Sequence, residues 1–432
     1  MKNIVPEWFR KTSIYQINPR TFSAEGTIKA VTEQLPALAE LGFGIMYLCP
    51  IFREDVSEDR TNWSKRQLAS NTNNPKNPYR IDNYFEIDEE YGNMDDLREF
   101  VTEAHILGMR VILDLVYLHI GPNAEILKSH PEFAAKNEDG SIKLTRWNFP
   151  YINYESEGLK EYLWCNMTYF VSVIGVDGFR CDVGDAVPLD FWREGKRRVK
   201  AIDPESILIN EGRKPEYLAV FDANYGFSWH CAVYDLLHKT INAEGFIKEY
   251  NALAEILCHG ELILRDMDNH DTVTDWPYRI EGHFGSDCME LILVTNYFID
   301  GVPMVYCGNE LADTARLNMF ANRFFMGEYE VTDRAATGEK VERRKALIKG
   351  LNSLKAERPI LQCGKTEWIS TEAEYVLAFN RTLDGEKVTF VGNFSEDAVE
   401  LTFAQGTPML SNGATLVDGK LKFEKYGYAV FA

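Results

Sequence analysis

Short apolar runs that end in a carboxylate recur along this chain of 432 residues. Four such runs lead to Asp114, Asp182, Glu211 and Asp266, the last followed closely by Asp271. A buried parallel strand reads as a nearly continuous apolar run, and the carboxyl ends of such strands are where an open α/β sheet or a barrel collects its ligands. We therefore expect several strands to direct acids to one place.

The segments before several of these runs share one layout, an amphipathic helix that ends at a glycine and leads into the strand. The glycines are Gly42, Gly108 and Gly175. Glycine suits this position because the residue after a helix often adopts left-handed dihedral angles. Repeated helix–strand units of this kind predict a parallel sheet.

The number of such units predicts a closed α/β barrel, because about eight strands alternate with helical patterns. We expect these strands near residues 13–18, 44–48, 110–116, 176–182, 206–211, 218–223, 261–268 and 302–307. The stretches 53–92 and 117–157 are too long for simple connections, and long loops in a compact domain are usually functional. After a final helix near 340–357, short runs of alternating polarity predict an antiparallel β domain to the end of the chain.

The composition excludes some classes of partner. The 46 basic and 66 acidic residues give a net charge of −20, which argues against nucleic acid and against an anionic membrane surface and favours a neutral substrate. The sequence has neither a run of about 18 apolar residues nor a signal-peptide pattern at its start, so we expect no membrane partner and a cytoplasmic location. The sequence specifies no oligomeric state.

Eight cysteines are scattered singly along the chain. They lack the close pairs of a zinc site and the framework of a small disulfide-rich domain. We expect them to be reduced and mostly buried.

The acids at the strand ends suggest a specific chemistry. Arg180 and Asp182 lie two residues apart on a strand and project to one side, so the guanidinium should lower the pKa of Asp182 and keep this candidate nucleophile ionised. Glu211 should have a raised pKa, since like charges and burial surround it, which suits a general acid. Two carboxyls of unequal pKa are what cleavage of a glycosidic bond requires, and a separation of about 5 Å would give retention.

Taken singly, most of these residues have ordinary structural explanations. An acid after a strand is more often a helix N-cap or a surface ion pair, and Asp114 is expected to be such a case. His119 and His270 alone are more often structural histidines. The segment 269–271 follows an apolar strand with no obvious helix after it, which favours function, and the conjunction of acids, histidines and an arginine at four strand ends favours it further.

These residues resemble the four conserved regions of the α-amylase family, glycoside hydrolase family 13, in the family's order. The matching segments are 114–119, 178–182, Glu211 after 208–210, and 269–271, with further landmarks at 8–22, 35–52, 79–97 and 302–310. The resemblance implies a (β/α)8 TIM barrel with a short inserted subdomain after strand 3 and a C-terminal antiparallel β-sandwich domain. The implied domains are 1–116 and 158–357 for the catalytic barrel, 117–157 for the small B subdomain, and 358–432 for the β-sandwich.

The same resemblance implies roles for individual residues. Asp182 matches the nucleophile, Glu211 the general acid and base, and Asp271 the third carboxylate, which holds sugar hydroxyls and stabilises the transition state. Substrate-binding positions are matched by Tyr79, as the aromatic platform beneath the sugar, and by His119, Arg180 and His270. The implied partner is an α-linked oligosaccharide.

The sequence departs from the family pattern at two places. Leu118 stands where many amylases have an asparagine that binds a structural calcium, and its side chain offers no oxygen; we therefore expect no cofactor or metal. The segment 183–186 lacks the lysine and histidine pair that often contacts the leaving chain, so the leaving-group preference is open.

The leading interpretation is a retaining α-glycoside hydrolase acting on α-linked gluco-oligosaccharides through a covalent glycosyl-Asp intermediate. A glucanotransferase, phosphorylase or isomerase of the same family shares the first half-reaction. A non-catalytic carbohydrate-binding barrel protein would typically lose a catalytic carboxylate, and a phosphate-handling barrel would need a glycine-rich loop that residues 305–310 do not supply. The aromatic stretches 147–151 and 320–325 are expected to wall a short cleft that favours oligosaccharides over polymeric starch.

Overall fold

The computed structural model describes residues 5–255, 262–321, 337–403 and 406–432. Within these ranges the strands, in chain order, are β1 (Ile14–Ile17), β2 (Ile45–Leu48), β3 (Phe52–Glu54), β4 (Ile81–Ile87), β5 (Arg110–Leu115), β6 (Gly178–Cys181), β7 (Ile207–Asn210), β8 (Ala223–Asn224), β9 (Leu262–Arg265), β10 (Val302–Tyr306), β11 (Lys365–Trp368), β12 (Val376–Leu383), β13 (Glu386–Asn393), β14 (Val399–Thr402), β15 (Leu410–Val417) and β16 (Lys420–Phe431).

The helices alternate with the strands through the first three quarters of the chain. In order they are α1 (Glu7–Arg10), α2 (Pro19–Phe22), α3 (Ile28–Thr32), α4 (Leu35–Glu40), α5 (Lys65–Ala69), α6 (Met94–Ile106), α7 (Glu125–Ser129), α8 (Glu157–Tyr169), α9 (Leu189–Ile202), α10 (Phe227–Leu237), α11 (Ala243–Ala254), α12 (His270–Asp275), α13 (Ile280–His283), α14 (Ser286–Phe298), α15 (Glu339–Glu357) and α16 (Pro359–Cys363).

Eight parallel strands close into a barrel in the order β1, β10, β9, β8, β7, β6, β5, β2. The register pairs Asp114 on β5 with Arg180 on β6, which places both side chains at the same level of the barrel. Buried apolar residues fill the strands, as expected for a sheet covered on both faces. The predicted barrel is confirmed.

The sixth barrel strand lies later in the chain than its apolar run predicts. Residues 218–223 were expected to form it, but Pro215–Ala219 form a 3₁₀-helix and the strand is Ala223–Asn224. Proline favours the first turn of a helix, and the helical spacing stacks the Tyr217 ring on the Phe221 ring, 6.4 Å between centroids. The apolar run is therefore buried by a helical turn instead of a longer strand.

The two long connections meet above the barrel. The stretch 53–92 contains the antiparallel pair β3 and β4 and the helix α5, and the stretch 117–157 is held by isolated bridges such as His119 with Tyr151. Asn148 Nδ2 donates a hydrogen bond to the backbone oxygen of Trp63, 3.1 Å away, and so joins the two stretches. This contact brings residues of both connections to one end of the barrel.

The last part of the chain forms one connected antiparallel sheet. Its strand order is β11, β12, β13, β16 and β14, with β15 paired to β16. One face holds a separate apolar cluster that includes Val391, Leu421 and Phe423, and the buried Arg381 donates from Nη1 to the backbone oxygen of Phe298 on the barrel, 2.9 Å away. The predicted C-terminal antiparallel domain is confirmed.

Seven cysteines lie in the described residues and all are free thiols; four of them, Cys49, Cys181, Cys288 and Cys307, are buried. Cys258 lies outside the described residues. Of the helices described above, none combines the length and the apolar character needed to cross a bilayer.

Candidate active site

The three candidate catalytic carboxylates line a single cavity of about 840 Å³ at the carboxyl ends of the barrel strands. Asp182 follows β6 directly, Glu211 follows β7 directly, and Asp271 stands in the first turn of α12 after β9. Parallel strands end at the same edge of a sheet, and for this reason acids far apart in the sequence meet here.

Arg180 contacts three carboxylates of the site. Its Nη1 donates to both oxygens of Asp114, at 2.7 and 2.9 Å, and to Asp182 Oδ1 at 2.9 Å. Its Nη2 lies 2.8 Å from Glu211 Oε2. Because Asp182 and Glu211 contact the two terminal nitrogens of one guanidinium, their carboxyl groups lie close together, as a retaining mechanism requires.

A strained residue holds Glu211. Val183 has a φ of +43°, which is uncommon for a β-branched residue. In this conformation the backbone N–H of Val183 donates to Glu211 Oε2 over 2.7 Å. Strain of this kind persists where the surrounding structure fixes it, which is typical of functional sites.

The pKa directions of the two carboxyls correct one expectation. Burial raises the pKa of Glu211, as predicted, and Arg180 opposes that effect. Burial also raises the pKa of Asp182 above its ordinary value, and Arg180 does not reverse the effect, contrary to the predicted lowering. The reason is that one guanidinium is shared by Asp114, Asp182 and Glu211, so this buried pair holds a proton more strongly than two exposed carboxyls would.

The pKa of Asp271 is shifted in the opposite direction. Burial raises its pKa, but His270, Arg66 and Arg180 together hold the pKa below its usual range. Arg66 Nη2 donates to Asp271 Oδ1 over 2.8 Å, and Arg66 Nε donates to Asp275 Oδ1 over 2.8 Å. Arg66 belongs to α5 in the first long connection, and the sequence did not identify it as a site residue.

A chain of hydrogen bonds runs from Gln16 through His270 and Tyr79 to Asp114. Gln16 Nε2 lies 2.9 Å from His270 Nδ1, and His270 Nε2 lies 2.6 Å from the Tyr79 hydroxyl. With the Gln16 amide as the donor, His270 carries its proton on Nε2 and donates it towards Tyr79. Tyr79 in turn donates to Asp114 Oδ2 over 3.3 Å. Burial lowers the pKa of His270, which keeps the ring neutral.

His119 lies beside Tyr79 and lines the same cavity. Its Nε2 is 2.9 Å from the backbone oxygen of Tyr79, and its Nδ1 has no hydrogen-bond partner in the described part of the chain. Burial lowers the pKa of His119 to about 4, so the ring is neutral. Trp147 and Phe149 pack against it and line the cavity, as does Phe320, while residues 322–325 of the predicted wall lie outside the described residues.

One structural explanation and one expectation about secondary structure are wrong. Asp114 is not a helix cap or a surface ion pair; it is buried, bonded to Arg180 and to the Tyr47 hydroxyl at 2.7 Å. A helix does follow the segment 269–271, and Asn269 caps it by accepting hydrogen bonds from the backbone N–H groups of Asp271 and Thr272, each 2.9 Å away. By capping the helix, Asn269 orients Asp271 towards the cavity. The structural role of Asn269 therefore supports the active site.

The residues present do not fit the structural calcium of many α-amylases. Leu118, at the position of the usual ligand, is buried in the main apolar core. Across the described ranges no group of three or more His, Cys, Asp or Glu side chains is arranged to hold a metal ion.

A family model described as the alpha amylase catalytic domain matches residues 3–140. The chain is 26% identical over 363 residues to a cyclomaltodextrinase from a Bacillus species, an alignment that covers 71% of this chain and 60% of that one. It is 24% identical over 435 residues to the intracellular maltogenic amylase of Bacillus subtilis, covering 89% of this chain and 68% of that one. The chain therefore spans about three fifths of the length of the Bacillus cyclomaltodextrinase.

The fold has solved counterparts. The crystal structure of an alpha-amylase from Lactobacillus plantarum superposes with a TM-score of 0.82 at 23% identity, covering 99% of this chain and all of that one. This likeness shows the fold. The family model over residues 3–140 agrees with the resemblance to the α-amylase family.

Proposed function

We propose that this relative of the α-amylase family is a retaining α-glycoside hydrolase that acts on α-linked gluco-oligosaccharides through a covalent intermediate on Asp182. The observation that carries the proposal is the sharing of Arg180 by Asp182 and Glu211, at 2.9 and 2.8 Å. This shared contact supports a short distance between the two carboxyl groups. One of them can then attack the anomeric carbon while the other donates a proton to the leaving oxygen. The cyclomaltodextrinase and maltogenic amylase relatives have names that agree with this substrate class.

The first half-reaction uses the oxygens that Arg180 leaves available. Asp182 Oδ2 accepts no hydrogen bond from the described residues and attacks the anomeric carbon. The bond from that carbon to the leaving oxygen breaks with its electron pair, and the leaving oxygen takes the proton of Glu211. Glu211 Oε2 already accepts from Arg180 and Val183, so Oε1 is the atom that carries the proton.

The second half-reaction reverses these roles. Glu211, now a carboxylate, takes a proton from water as the water oxygen bonds to the anomeric carbon, and the bond to Asp182 breaks. Asp271 accepts hydrogen bonds from sugar hydroxyls, and Tyr79 presents its ring to the apolar face of the sugar. His119, Arg180 and His270 bind hydroxyls or orient the carboxylates.

A transferase or phosphorylase would share the first half-reaction and differ in the acceptor that resolves the intermediate. A cytoplasmic location belongs to the same proposal, in line with the name of the intracellular relative from Bacillus subtilis.

The test is product analysis by chromatography after incubation with maltoheptaose, isomaltotriose, trehalose and sucrose, with and without phosphate. Proton NMR of the earliest product should show the α-anomer, which reports retention. Asp182→Asn should abolish the products, while Asp190→Asn, at an exposed acid on α9, should leave them unchanged. Longer oligosaccharides or sugar phosphates would move the assignment to a transferase or phosphorylase, and activity that survives in Asp182→Asn would overturn the choice of nucleophile.

A further inference from the structure

Three cations at the cavity have no carboxylate partner among the described residues. They are Lys65, Arg146 and Arg213, all exposed and all lining the cavity. Some exposed arginines elsewhere are paired, such as Arg98 with Asp95 and Arg197 with Glu194, whereas the exposed Arg60 bonds Asn73 and stacks on Trp63. In a chain with an excess of acids, unpaired cations gathered at one cavity call for a physical explanation.

Two of these cations stack on aromatic rings that also line the cavity. The Arg213 guanidinium lies 5.0 Å from the centre of the Phe227 ring, and that of Arg146 lies 4.2 Å from the Trp147 ring. Stacking holds the guanidinium plane, so less freedom is lost when its edge binds a ligand. The planar fork of N–H donors matches the oxygens of a phosphate or a carboxylate.

The acids of the cavity lining have other direct partners. Arg180 already contacts Asp182 and Glu211, and Arg66 contacts Asp271 and Asp275. Asp185, the remaining acid of the lining, accepts from the backbone N–H groups of two residues of the loop after β7, Arg213 at 2.8 Å and Lys214 at 3.3 Å. Lys65, Arg146 and Arg213 therefore form no ion pair with the acids of the lining in the described part of the chain.

The position of Arg213 indicates which part of a substrate it faces. It stands two residues after Glu211, the proposed acid, which must lie beside the leaving oxygen. Phe227 beneath it also contacts His230, with ring centres 5.7 Å apart, and His230 lines the cavity. Burial alone would lower the pKa of His230, but Asp266, 3.8 Å from its Nδ1, raises it to about 9. His230 therefore lies on the leaving-group side, with its charge balanced by Asp266.

We propose that the cavity accepts an α-glucoside whose leaving-group sugar carries an oxyanion, either a phosphate monoester or a carboxylate, bound by Arg213 beside His230 with Arg146 and Lys65 adding to the field. This substrate class rests on the proposed function, because the leaving-group side is defined by the role of Glu211. The uncharged glycone binds at the bottom of the cavity, among the carboxylates, and the anionic group binds at the entrance of the cavity. The net charge of the chain favoured a neutral substrate, and the local distribution of charge favours an anionic one.

The experiment measures binding to the Asp182→Asn protein by isothermal titration calorimetry. The matched ligands are maltobionate against maltitol, which differ by a carboxylate, and glucose 6-phosphate against glucose, which differ by a phosphate. We expect at least one anion to bind tenfold or more tightly than its neutral partner in low salt, since a charge-assisted hydrogen bond is worth that much. High salt should narrow the ratio because the mouth is exposed.

Two further variants locate the effect. Arg213→Gln, added to Asp182→Asn, should remove most of the anion preference, and Arg146→Gln should reduce it by a smaller factor. Arg60→Gln is the matched control, because Arg60 is exposed, stacks on Trp63 at 4.9 Å and lies outside the cavity lining; it should keep the full ratio.

The outcomes separate this proposal from the proposed function. A preference for maltobionate alone assigns a carboxylate, and a preference for glucose 6-phosphate alone assigns a phosphate monoester. Equal binding of charged and neutral ligands, or a preference that Arg213→Gln leaves intact, overturns the anion site even if the wild-type enzyme hydrolyses neutral oligosaccharides. Anion binding through Arg213 without hydrolysis of any glycoside leaves the anion site standing and overturns the hydrolase.

Discussion

Arg66 Nη2 donates a hydrogen bond to Asp271 Oδ1 over 2.8 Å, although the two residues are 205 positions apart in the chain. The first long connection thus reaches across the cavity to hold the third carboxylate. Arg66 also bonds Asp275 one helical turn further along α12, which fixes the direction of both side chains. We infer that Arg66 is a positioning residue for Asp271.

Replacing Arg66 by glutamine should raise the pKa of Asp271, because one of the two arginines that lower it is removed. An adjacent arginine lowers the pKa of an aspartate by about one to three units. The pKa of Asp271, followed through the pH dependence of its side-chain carboxyl carbon in ¹³C NMR, should therefore rise by about one unit. Arg60→Gln should leave this pKa unchanged, and an unchanged pKa of Asp271 in Arg66→Gln would contradict the positioning role.

Replacing Glu211 by glutamine tests its assignment as the acid. Loss of a general acid typically costs a factor of about 10² to 10⁴, so kcat/KM on an oligosaccharide should fall by that factor. With α-glucosyl fluoride, whose leaving group needs no proton, the loss should be much smaller. The alkaline limb of the profile of kcat/KM against pH, which reports deprotonation of the buried pair, should also disappear in Glu211→Gln. An equal loss of kcat/KM on both substrates would argue against the assignment of Glu211 as the acid.

The repeated pattern of apolar runs and acids was sufficient to predict the barrel and the neighbourhood of Asp182, Glu211 and Asp271. A buried parallel strand has a composition that can be recognised locally, and its end lies at a known edge of the fold. The same rule fails at Pro215–Ala219, where an equally apolar run forms a 3₁₀-helix. A short apolar run can be buried either as a strand or as a helical turn, so its composition does not distinguish the two.

The partners that orient the site could not be predicted in the same way. Gln16 contacts His270 across 254 positions, and no local pattern marks either residue as the partner of the other. The pKa of Asp182 depends on how three carboxyls share Arg180, whereas the sequence displays only the adjacent pair. Asp114 was assigned a structural role for the same reason: its partners Arg180 and Tyr47 come from other strands.

Replacing Gly178 by alanine should destabilise the barrel. A Cβ at this position would lie 2.2 Å from the backbone oxygen of Ile207 on the neighbouring strand β7, and backbone cannot move aside as a flexible side chain can. Overpacking of this kind costs about 3 kcal/mol. The midpoint of urea unfolding, followed by circular dichroism, should fall or the protein should fail to accumulate. Gly108→Ala, where no atom lies within 4 Å, controls for the loss of glycine itself, and equal stability of the two variants would be inconsistent with the close approach.

Replacing His105 by glutamine should reduce stability in a manner that depends on pH. His105 Nε2 lies 2.8 Å from Asp177 Oδ2, and this hydrogen bond raises the pKa of His105 in the folded state. A raised pKa contributes stability that is complete below the unfolded pKa of about 6.5 and is lost as pH rises through the folded pKa. Because the side chain is 41% exposed, solvent screening keeps the contribution below about 1 kcal/mol. Urea unfolding should therefore show a larger difference between wild type and His105→Gln at pH 5.5 than at pH 8.5, and a difference that is the same at both values would mean that the ion pair with Asp177 contributes nothing.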